Sequence, residues 1–281
     1  MAAAAAQTPI SVTILSILGA EMEHTCDQPA IPARHNRLMN ELIYWFLVRM
    51  AVWSHFDRVW LKVEGPLPHP AEGPLIVYLN HPSWWDGYMC FILNRVVLRD
   101  RFTGYLMMDE QELRRYRFFA WCGCFSIDRH NARPATRSVA YIGRLLGERR
   151  DRGLWIFPQG EITPNDRRPL TIYSGVAHVV RRAGAATLCP VALRYEFRGE
   201  QRPEAFIRMG PIHHAGAPID THKLTGEVGQ RLTAAVDALR DEVNDGRLEG
   251  YRGLLRGWPG VNRVFDALRD RLPGPGAHRA R

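Results

Sequence analysis

The sequence predicts an α/β fold in which a mixed, largely parallel sheet is flanked by helices. Short β-branched apolar runs, such as 75–79 (LIVYL) and 154–157 (LWIF), are typical of strands that are buried on both faces. Amphipathic stretches such as 135–150, with apolar residues at helical spacing, lie between these runs. Strands and helices therefore alternate along the chain, which favours a sheet covered by helices.

The first predicted strand is 59–63, and a Pro-rich loop separates it from the strand 75–79, which begins after Gly-Pro. This second strand ends in Asn-His-Pro-Ser, which is a turn and helix-cap signal, so a helix is predicted at 84–97. A strand, a charged and aromatic helix, and a short apolar strand follow at 104–108, 111–119 and 125–127.

The second half of this region continues the alternation. The helix 135–150 leads into the strand 154–157, which Pro-Gln-Gly stops. A helix at 174–183, a strand at 187–193 that runs through Pro190, and a strand at 206–209 complete the predicted set. His213 and His214 are predicted to lie in a loop, because they follow the last strand without other metal-ligating residues nearby.

The flanks differ from this central region, 59–224. Residues 1–35 are predicted to be a poorly ordered leader, 225–272 to form C-terminal helices, and 273–281 to be a disordered tail. The stretch 36–58 is predicted to be an amphipathic helix, and its aromatic run LIYWFLVRMAVW suits either an interfacial helix or a core helix. The basic segment 248–268 suits either a membrane surface or packing on the domain, and packing is favoured.

Composition limits the partners. The 281 residues include 37 Lys and Arg against 29 Asp and Glu, and the net charge of +8 predicts a nucleic acid, an anionic membrane or a phosphorylated substrate as partner. The arginines are spread along the chain without a nucleic-acid-binding motif, so we expect no nucleic-acid partner. The five cysteines are odd in number and lack zinc-site spacing, which predicts free thiols, no metal and a reducing compartment.

The residues Asn80 to Asp86 (NHPSWWD) hold the sharpest chemical signal. They follow a predicted buried strand, and ligands of α/β sheets bind at the carboxyl ends of strands. His81 is placed there as a candidate general base, and Asp86 at the start of the next helix can orient its imidazole. The spacing alone is weak evidence, because a surface histidine beside a helical aspartate gives the same pattern.

Four blocks in order make the signal specific, and together they resemble the glycerolipid acyltransferase family. Asn80, His81, Ser83 and Asp86 match the family's first motif, N-H-x-S-x-x-D. The second block is the apolar strand that ends in Asp128-Arg129. The third and fourth resemble the family's F-P-E-G-T-R and V-P-V blocks; they contain Pro158, Gln159, Gly160 and Glu161, and then Pro190.

The resemblance implies an enzyme that transfers an acyl group from a thioester to an alcohol without a covalent intermediate. His81 would be the general base and Asp86 its orienting partner, with backbone N–H groups holding the oxyanion. Arg129, Gln159, Gly160 and Glu161 would bind the acceptor's head group, the arginine through a bidentate fork on phosphate. Asn80, Ser83, Pro158 and Pro190 would support the site.

The resemblance also implies the partners. The donor would be acyl-CoA or acyl-carrier protein, the acceptor a lysophospholipid such as 1-acylglycerol-3-phosphate, and the enzyme would need no cofactor and no metal. With the helix 36–58, it implies a peripheral or monotopic protein at the cytoplasmic face of a membrane, and 59–224 would be the catalytic domain.

The third block departs from the family. Gln159, Glu161 and Ile162 stand where the family has Glu, Thr and Arg, so a cationic phosphate contact is lost and a negative charge is added. Arg167 and Arg168 are candidate replacements for that contact. An acceptor that is unphosphorylated or glycosylated, or a lipid-binding relative without catalysis, therefore stays as an alternative.

Overall fold

A mixed sheet with helices on both faces forms the centre of the computed structural model, which describes residues 28–259. Along the sheet the strand order is β4-β3-β5-β2-β6-β7-β1-β9, and β8 pairs with β6. The strands are β1 (Arg58–Val63), β2 (Leu75–Leu79), β3 (Thr103–Asp109), β4 (Cys124–Ile127), β5 (Arg152–Ile156), β6 (Ala185–Glu196), β7 (Glu204–Met209), β8 (His213–Gly216) and β9 (Arg252–Arg256). Five pairings are parallel and three antiparallel, so the predicted fold class is confirmed.

Six helices of the described residues cover the sheet. The first, α1, is continuous through Arg37–Leu42, a π-helical segment Ile43–Arg49, and Met50–His55. The second, α2, is Asp86–Ile92 with a π-helical extension, Leu93–Val97. The others are α3 (Glu110–Arg115), followed by a 3-10 turn Arg117–Trp121, α4 (Ala132–Glu148), α5 (Gly175–Ala183) and α6 (Thr221–Asn244).

The core has two layers because side chains of the central strands alternate between the faces of the sheet. On β2, Leu75, Val77 and Leu79 pack with α1 and α2, whereas Ile76 and Tyr78 pack with α4, α5 and α6. All five residues of β2 are at most 1% exposed. This burial on both faces explains why the strand reads as an uninterrupted apolar run.

Parallel pairing brings the carboxyl ends of five strands to one edge of the sheet. β2 pairs in parallel with β5 and β6, and β3 pairs in parallel with β5 and β4. The loops after β2, β4 and β5 therefore leave the sheet on the same side. These loops carry the first three sequence blocks, and the fourth block is part of β6 itself.

Pro190 sits in a central strand, where a missing N–H would ordinarily remove a ladder hydrogen bond. On the side of β6 away from β2, β8 pairs with residues up to Leu188 and β7 with residues from Val191 onward. Pro190 lies in the gap between these two partners, so the strand tolerates it.

The structure corrects three predictions at the flanks. Residues 28–35, predicted as part of the leader, pack on the domain: Ile31 is 7% exposed and the N–H of Arg34 donates to Ala120. Arg252–Arg256, predicted to be helical, instead forms β9, antiparallel to β1. His213 and His214, predicted to lie in a loop, begin β8. Residues 1–27 and 260–281, including the predicted tail, lie outside the described residues.

The helix predicted at 36–58 has one buried side and one exposed apolar side. On α1, Ile43, Tyr44, Val48 and Val52 are buried against the core. The opposite side, here called the apolar face of α1, consists of the exposed residues Leu38, Leu42, Trp45, Phe46, Met50 and Trp53. Within residues 28–259, no helix combines the length and the apolar character that crossing a bilayer requires.

Candidate active site

His81 and Asp86 form a hydrogen-bonded pair at the carboxyl edge of the sheet. The Nδ1–H of His81 donates to Oδ2 of Asp86 over 2.7 Å. His81 lies in the turn after β2, and Asp86 is the first residue of α2, so the turn folds the helix start back onto the imidazole. The side chain of His81 is 21% exposed, whereas that of Asp86 is completely buried.

Three donors hold the buried Asp86 carboxylate. Besides His81, the backbone N–H of Ser83 donates to Oδ2 over 3.0 Å, and the hydroxyl of Tyr195 donates to Oδ1 over 2.6 Å. Desolvation raises the pKa of Asp86, and these three hydrogen bonds act in the opposite direction. The carboxylate therefore depends on its donors to stay ionised and to accept from the imidazole.

The His81 ring is fixed from several sides. It stacks on Phe157, with ring centroids 4.2 Å apart and an interplanar angle of 15°. The backbone N–H of His81 donates to Oε1 of Gln159 over 2.8 Å, and its carbonyl accepts from the N–H of Thr163. Since Asp86 accepts from Nδ1, the neutral imidazole carries its lone pair on Nε2, which has no hydrogen-bond partner among the described residues. Nε2 is thus available as a base.

Asn80 continues the sheet with its side chain. Its Nδ2 donates to the carbonyl of Leu193 over 2.9 Å, and its Oδ1 accepts from the N–H of Leu193 over 2.7 Å. The amide thereby replaces one backbone rung between β2 and β6. This bond fixes the point at which the chain leaves the sheet, one residue before His81.

The second and third blocks meet at the same edge. The Nη1 of Arg129 donates to the carbonyl of Gly160. Gly160 has φ of +72°, which a side chain would strain, and a Cβ there would lie 3.3 Å from the ring of Tyr173. Arg129, Gly160 and Glu161 are exposed, so their predicted contact with an acceptor is sterically open.

Gln159 is placed differently from its predicted role in head-group binding. It is 3% exposed; its Oε1 accepts from His81, and its Nε2 donates to Oγ1 of Thr163. Both ends of the amide are used within the protein, so Gln159 joins the loops after β2 and β5. The carbonyl of Pro158, which was predicted to support the site, accepts from the N–H of Tyr173.

The two arginines considered as replacements for the missing cation have different surroundings. Arg168 is paired with Asp237 of α6 at 2.6 Å and also donates to backbone carbonyls, so it is already occupied. Arg167 is exposed. Ile162, at the position of the family's arginine, is 53% exposed and carries no charge.

Three residues of the site were given no role from the sequence, namely Phe157, Thr163 and Tyr195. Phe157 is the phenylalanine of the third block, and its place in that motif was the available signal. Thr163 lies two residues after Glu161, and Tyr195 lies five residues after Pro190. Tyr195 lies 109 positions from Asp86, so only the β2–β6 pairing brings it close.

Neighbouring residues do not offer a second catalytic group. Cys90, one helical turn after Asp86, is 2% exposed, and burial raises the pKa of its thiol well above the usual value. A buried thiol that keeps its proton is a poor nucleophile. Residues 28–259 contain no cluster of three or more His, Cys, Asp or Glu side chains that could hold a metal.

Comparison with known proteins identifies the class. Residues 61–194 match the family model described as "Acyltransferase", and this range includes all four blocks. These residues therefore form an acyltransferase domain, and the protein is an acyltransferase enzyme, as the resemblance to the glycerolipid acyltransferases predicted. No curated protein sequence matches the chain.

Among the solved structures of similar fold is the 1-acyl-sn-glycerophosphate (LPA) acyltransferase PlsC from Thermotoga maritima. The two chains are 16% identical, with a TM-score of 0.51, and the match covers 72% of this chain and 81% of that one. At this identity the likeness concerns the fold, and it agrees with the mixed sheet described above.

The role of Asn80 gives the first testable prediction. Asn80→Ala leaves the buried N–H and C=O of Leu193 without partners, so we expect the free energy of unfolding to fall by about 2–4 kcal/mol. Ser83→Ala is the matched control, because Ser83 holds Asp86 through its backbone and its hydroxyl makes one long bond of 3.3 Å to Trp85. Urea unfolding measures both variants. Equal stability of Asn80→Ala and Ser83→Ala would contradict a structural role for the Asn80 amide.

Proposed function

We propose that the chain is an O-acyltransferase that moves a fatty acyl group from acyl-CoA or acyl-carrier protein to the hydroxyl of a lysophospholipid such as 1-acylglycerol-3-phosphate, with His81 as the general base. The observation that supports this most directly is the pair formed by a buried Asp86 and a partly exposed His81. It leaves Nε2 of the imidazole as an unpartnered base at the carboxyl edge of the sheet.

The proposed reaction uses one histidine twice. Nε2 of His81 takes the proton of the acceptor hydroxyl while the alcohol oxygen attacks the thioester carbonyl carbon. The tetrahedral intermediate then breaks its C–S bond, and the leaving thiolate takes the proton back from the imidazolium. Asp86 stabilises the imidazolium between these steps, and no covalent acyl-enzyme is formed.

Arg129 supports a phosphorylated acceptor. It is an exposed guanidinium anchored on the loop that follows β5, so it lies at the edge that carries His81. A phosphate can accept two parallel N–H bonds from such a fork. PlsC, the protein of similar fold, is a 1-acyl-sn-glycerophosphate (LPA) acyltransferase, which agrees with this acceptor class.

A second candidate acceptor is an unphosphorylated or glycosylated lipid alcohol. The observation that favours it is the charge of the third block, where Ile162 is neutral, Glu161 is acidic and exposed, and Arg168 is bound to Asp237. Fewer cations around Arg129 would weaken the discrimination between a phosphate and a neutral head group.

The proposed location is the cytoplasmic face of a membrane, and the apolar face of α1 supports attachment to a membrane surface. Leu38 is 68% exposed and Phe46 is 70% exposed, and the six residues of this face follow helical spacing. Trp, Phe and Leu on an exposed helix face suit the boundary between head groups and acyl chains. The net charge of +8 would add attraction to anionic lipids.

An aromatic path joins this face to the site. His55 and Phe56, at the end of α1, contact the indole of Trp85, with ring centroids 5.1 Å apart in each case. Trp85 in turn contacts Trp84, which is 51% exposed. A membrane that touched α1 and Trp84 would hold a lipid acceptor close to His81.

The proposed chemistry predicts the outcome of removing the base. His81→Ala is expected to lower kcat by about 1,000-fold or more while the protein stays folded, because general-base catalysis is lost. Acyl products would be measured by lipid mass spectrometry with acyl-CoA and acyl-carrier-protein donors. His222→Ala, an exposed histidine of α6, is the control and should retain full activity. Substantial turnover by His81→Ala would exclude this mechanism.

The two acceptor classes can be separated at Arg129. If Arg129 binds phosphate, Arg129→Ala should raise KM for 1-acylglycerol-3-phosphate by about 10- to 100-fold and leave KM for monoacylglycerol unchanged. Arg137→Ala removes the charge of an exposed arginine of α4 and should alter neither value. An equal change in KM for both acceptors, or wild-type turnover of monoacylglycerol alone, would support the unphosphorylated acceptor instead.

If α1 attaches the protein to a membrane, a charge introduced on its apolar face should weaken binding to lipid vesicles. Phe46→Glu should reduce partitioning onto phosphatidylglycerol vesicles by about 10-fold or more, because a large apolar side chain is replaced by a carboxylate. Ala234→Glu adds the same charge on α6, which covers the opposite face of the sheet, and controls for the change in net charge. Co-sedimentation measures both variants; identical partitioning would rule out α1 as the contact.

A further inference from the structure

We infer that Tyr195 is a positioning residue for the reaction, acting on His81 through Asp86. The inference rests on the proposed role of His81 as general base. No sequence block includes Tyr195, which lies near the end of β6, one residue before Glu196. Its hydroxyl donates to the Asp86 oxygen that His81 does not use.

The two carboxylate oxygens of Asp86 accept hydrogen bonds from different donors. Oδ2 accepts from Nδ1 of His81 at 2.7 Å and from the N–H of Ser83 at 3.0 Å. Oδ1 accepts from the Tyr195 hydroxyl at 2.6 Å. A carboxylate held at both oxygens cannot rotate, so Oδ2 stays aligned with the imidazole. Alignment of this kind fixes the tautomer that leaves Nε2 free.

Tyr195 is well supported in this position. Its ring contacts that of Phe56, with centroids 5.6 Å apart. Two residues earlier on the same strand, Leu193 holds the side chain of Asn80. The strand β6 therefore anchors Asn80 through Leu193 and holds Asp86 through Tyr195. It thereby sets the distance between His81 and Asp86.

The hydroxyl also adjusts the basicity of the pair. Desolvation and the neighbouring Asp86 carboxylate raise the pKa of Tyr195 well above its usual value, so Tyr195 keeps its proton and donates. This donation spreads the negative charge of Asp86. Without it, the carboxylate would keep more of its negative charge and would attract the imidazolium more strongly.

Within the described residues, the other titratable groups near Asp86 do not replace the hydrogen bond that Tyr195 donates to its carboxylate. Cys90 of α2 stays a thiol because burial raises its pKa. From α1, His55 lies against Trp85 and bonds to the Ala51 carbonyl rather than to Asp86. Tyr195 is thus the donor from the sheet to this carboxylate.

Tyr195→Phe tests the inference, since it keeps the ring and removes the hydroxyl. We expect the acidic limb of the kcat/KM profile against pH to move upward by about one unit, with kcat at neutral pH reduced about 10-fold and KM unchanged. Tyr78→Phe is the matched control: its hydroxyl bonds to His213 at 3.0 Å on the opposite face of the sheet. That control should leave the profile where it is in the wild type.

The outcomes separate this inference from the proposed function. An acidic limb of Tyr195→Phe that stays in place, or moves downward, overturns the role of Tyr195, provided that His81→Ala is inactive. A His81→Ala variant that remains active overturns the proposed function itself, whatever Tyr195→Phe does. An upward shift shared by Tyr78→Phe also overturns the inference, because a general effect of losing a buried hydroxyl would then explain it.

Discussion

The site depends on a carboxylate that has been removed completely from water. Burying Asp86 without partners would cost several kcal/mol and would favour its neutral form, which could not stabilise an imidazolium. The hydrogen bonds to this carboxylate come from His81, from the backbone of Ser83 and from Tyr195. His81 lies in the turn after β2, Ser83 lies just before α2, and Tyr195 lies on β6. These three elements must therefore be correctly placed for Asp86 to stay ionised beside His81.

The hydrogen bonding between β2 and β6 continues into the site through a side chain. Asn80 pairs with Leu193 as a backbone residue would, and Gln159 ties the first loop to the loop after β5. The strands and these two side-chain amides therefore fix the position of His81 and of the loop after β5. Residues that resemble substrate contacts in sequence can be structural, as Gln159 illustrates with an amide that is used at both ends.

The helix α1 joins two environments. One side belongs to the core through Val48 and Val52, while its opposite side exposes Trp45 and Phe46. Such a helix is too apolar to be explained by packing alone, since only one side is covered. The aromatic contacts from His55 to Trp84 connect the end of this helix with the edge of the sheet that carries His81.

The sequence by itself determined the fold class, the order of strands and helices, and the pair His81 and Asp86, because periodicity and short motifs are local properties of the chain. It did not reveal β8 or β9: His213–Gly216 and Arg252–Arg256 lack apolar runs, and only pairing with β6 and β1 makes them strands. It also could not place Gln159 in the interior or bring Tyr195 to Asp86. Those contacts join residues 78 and 109 positions apart, and only tertiary structure sets such distances.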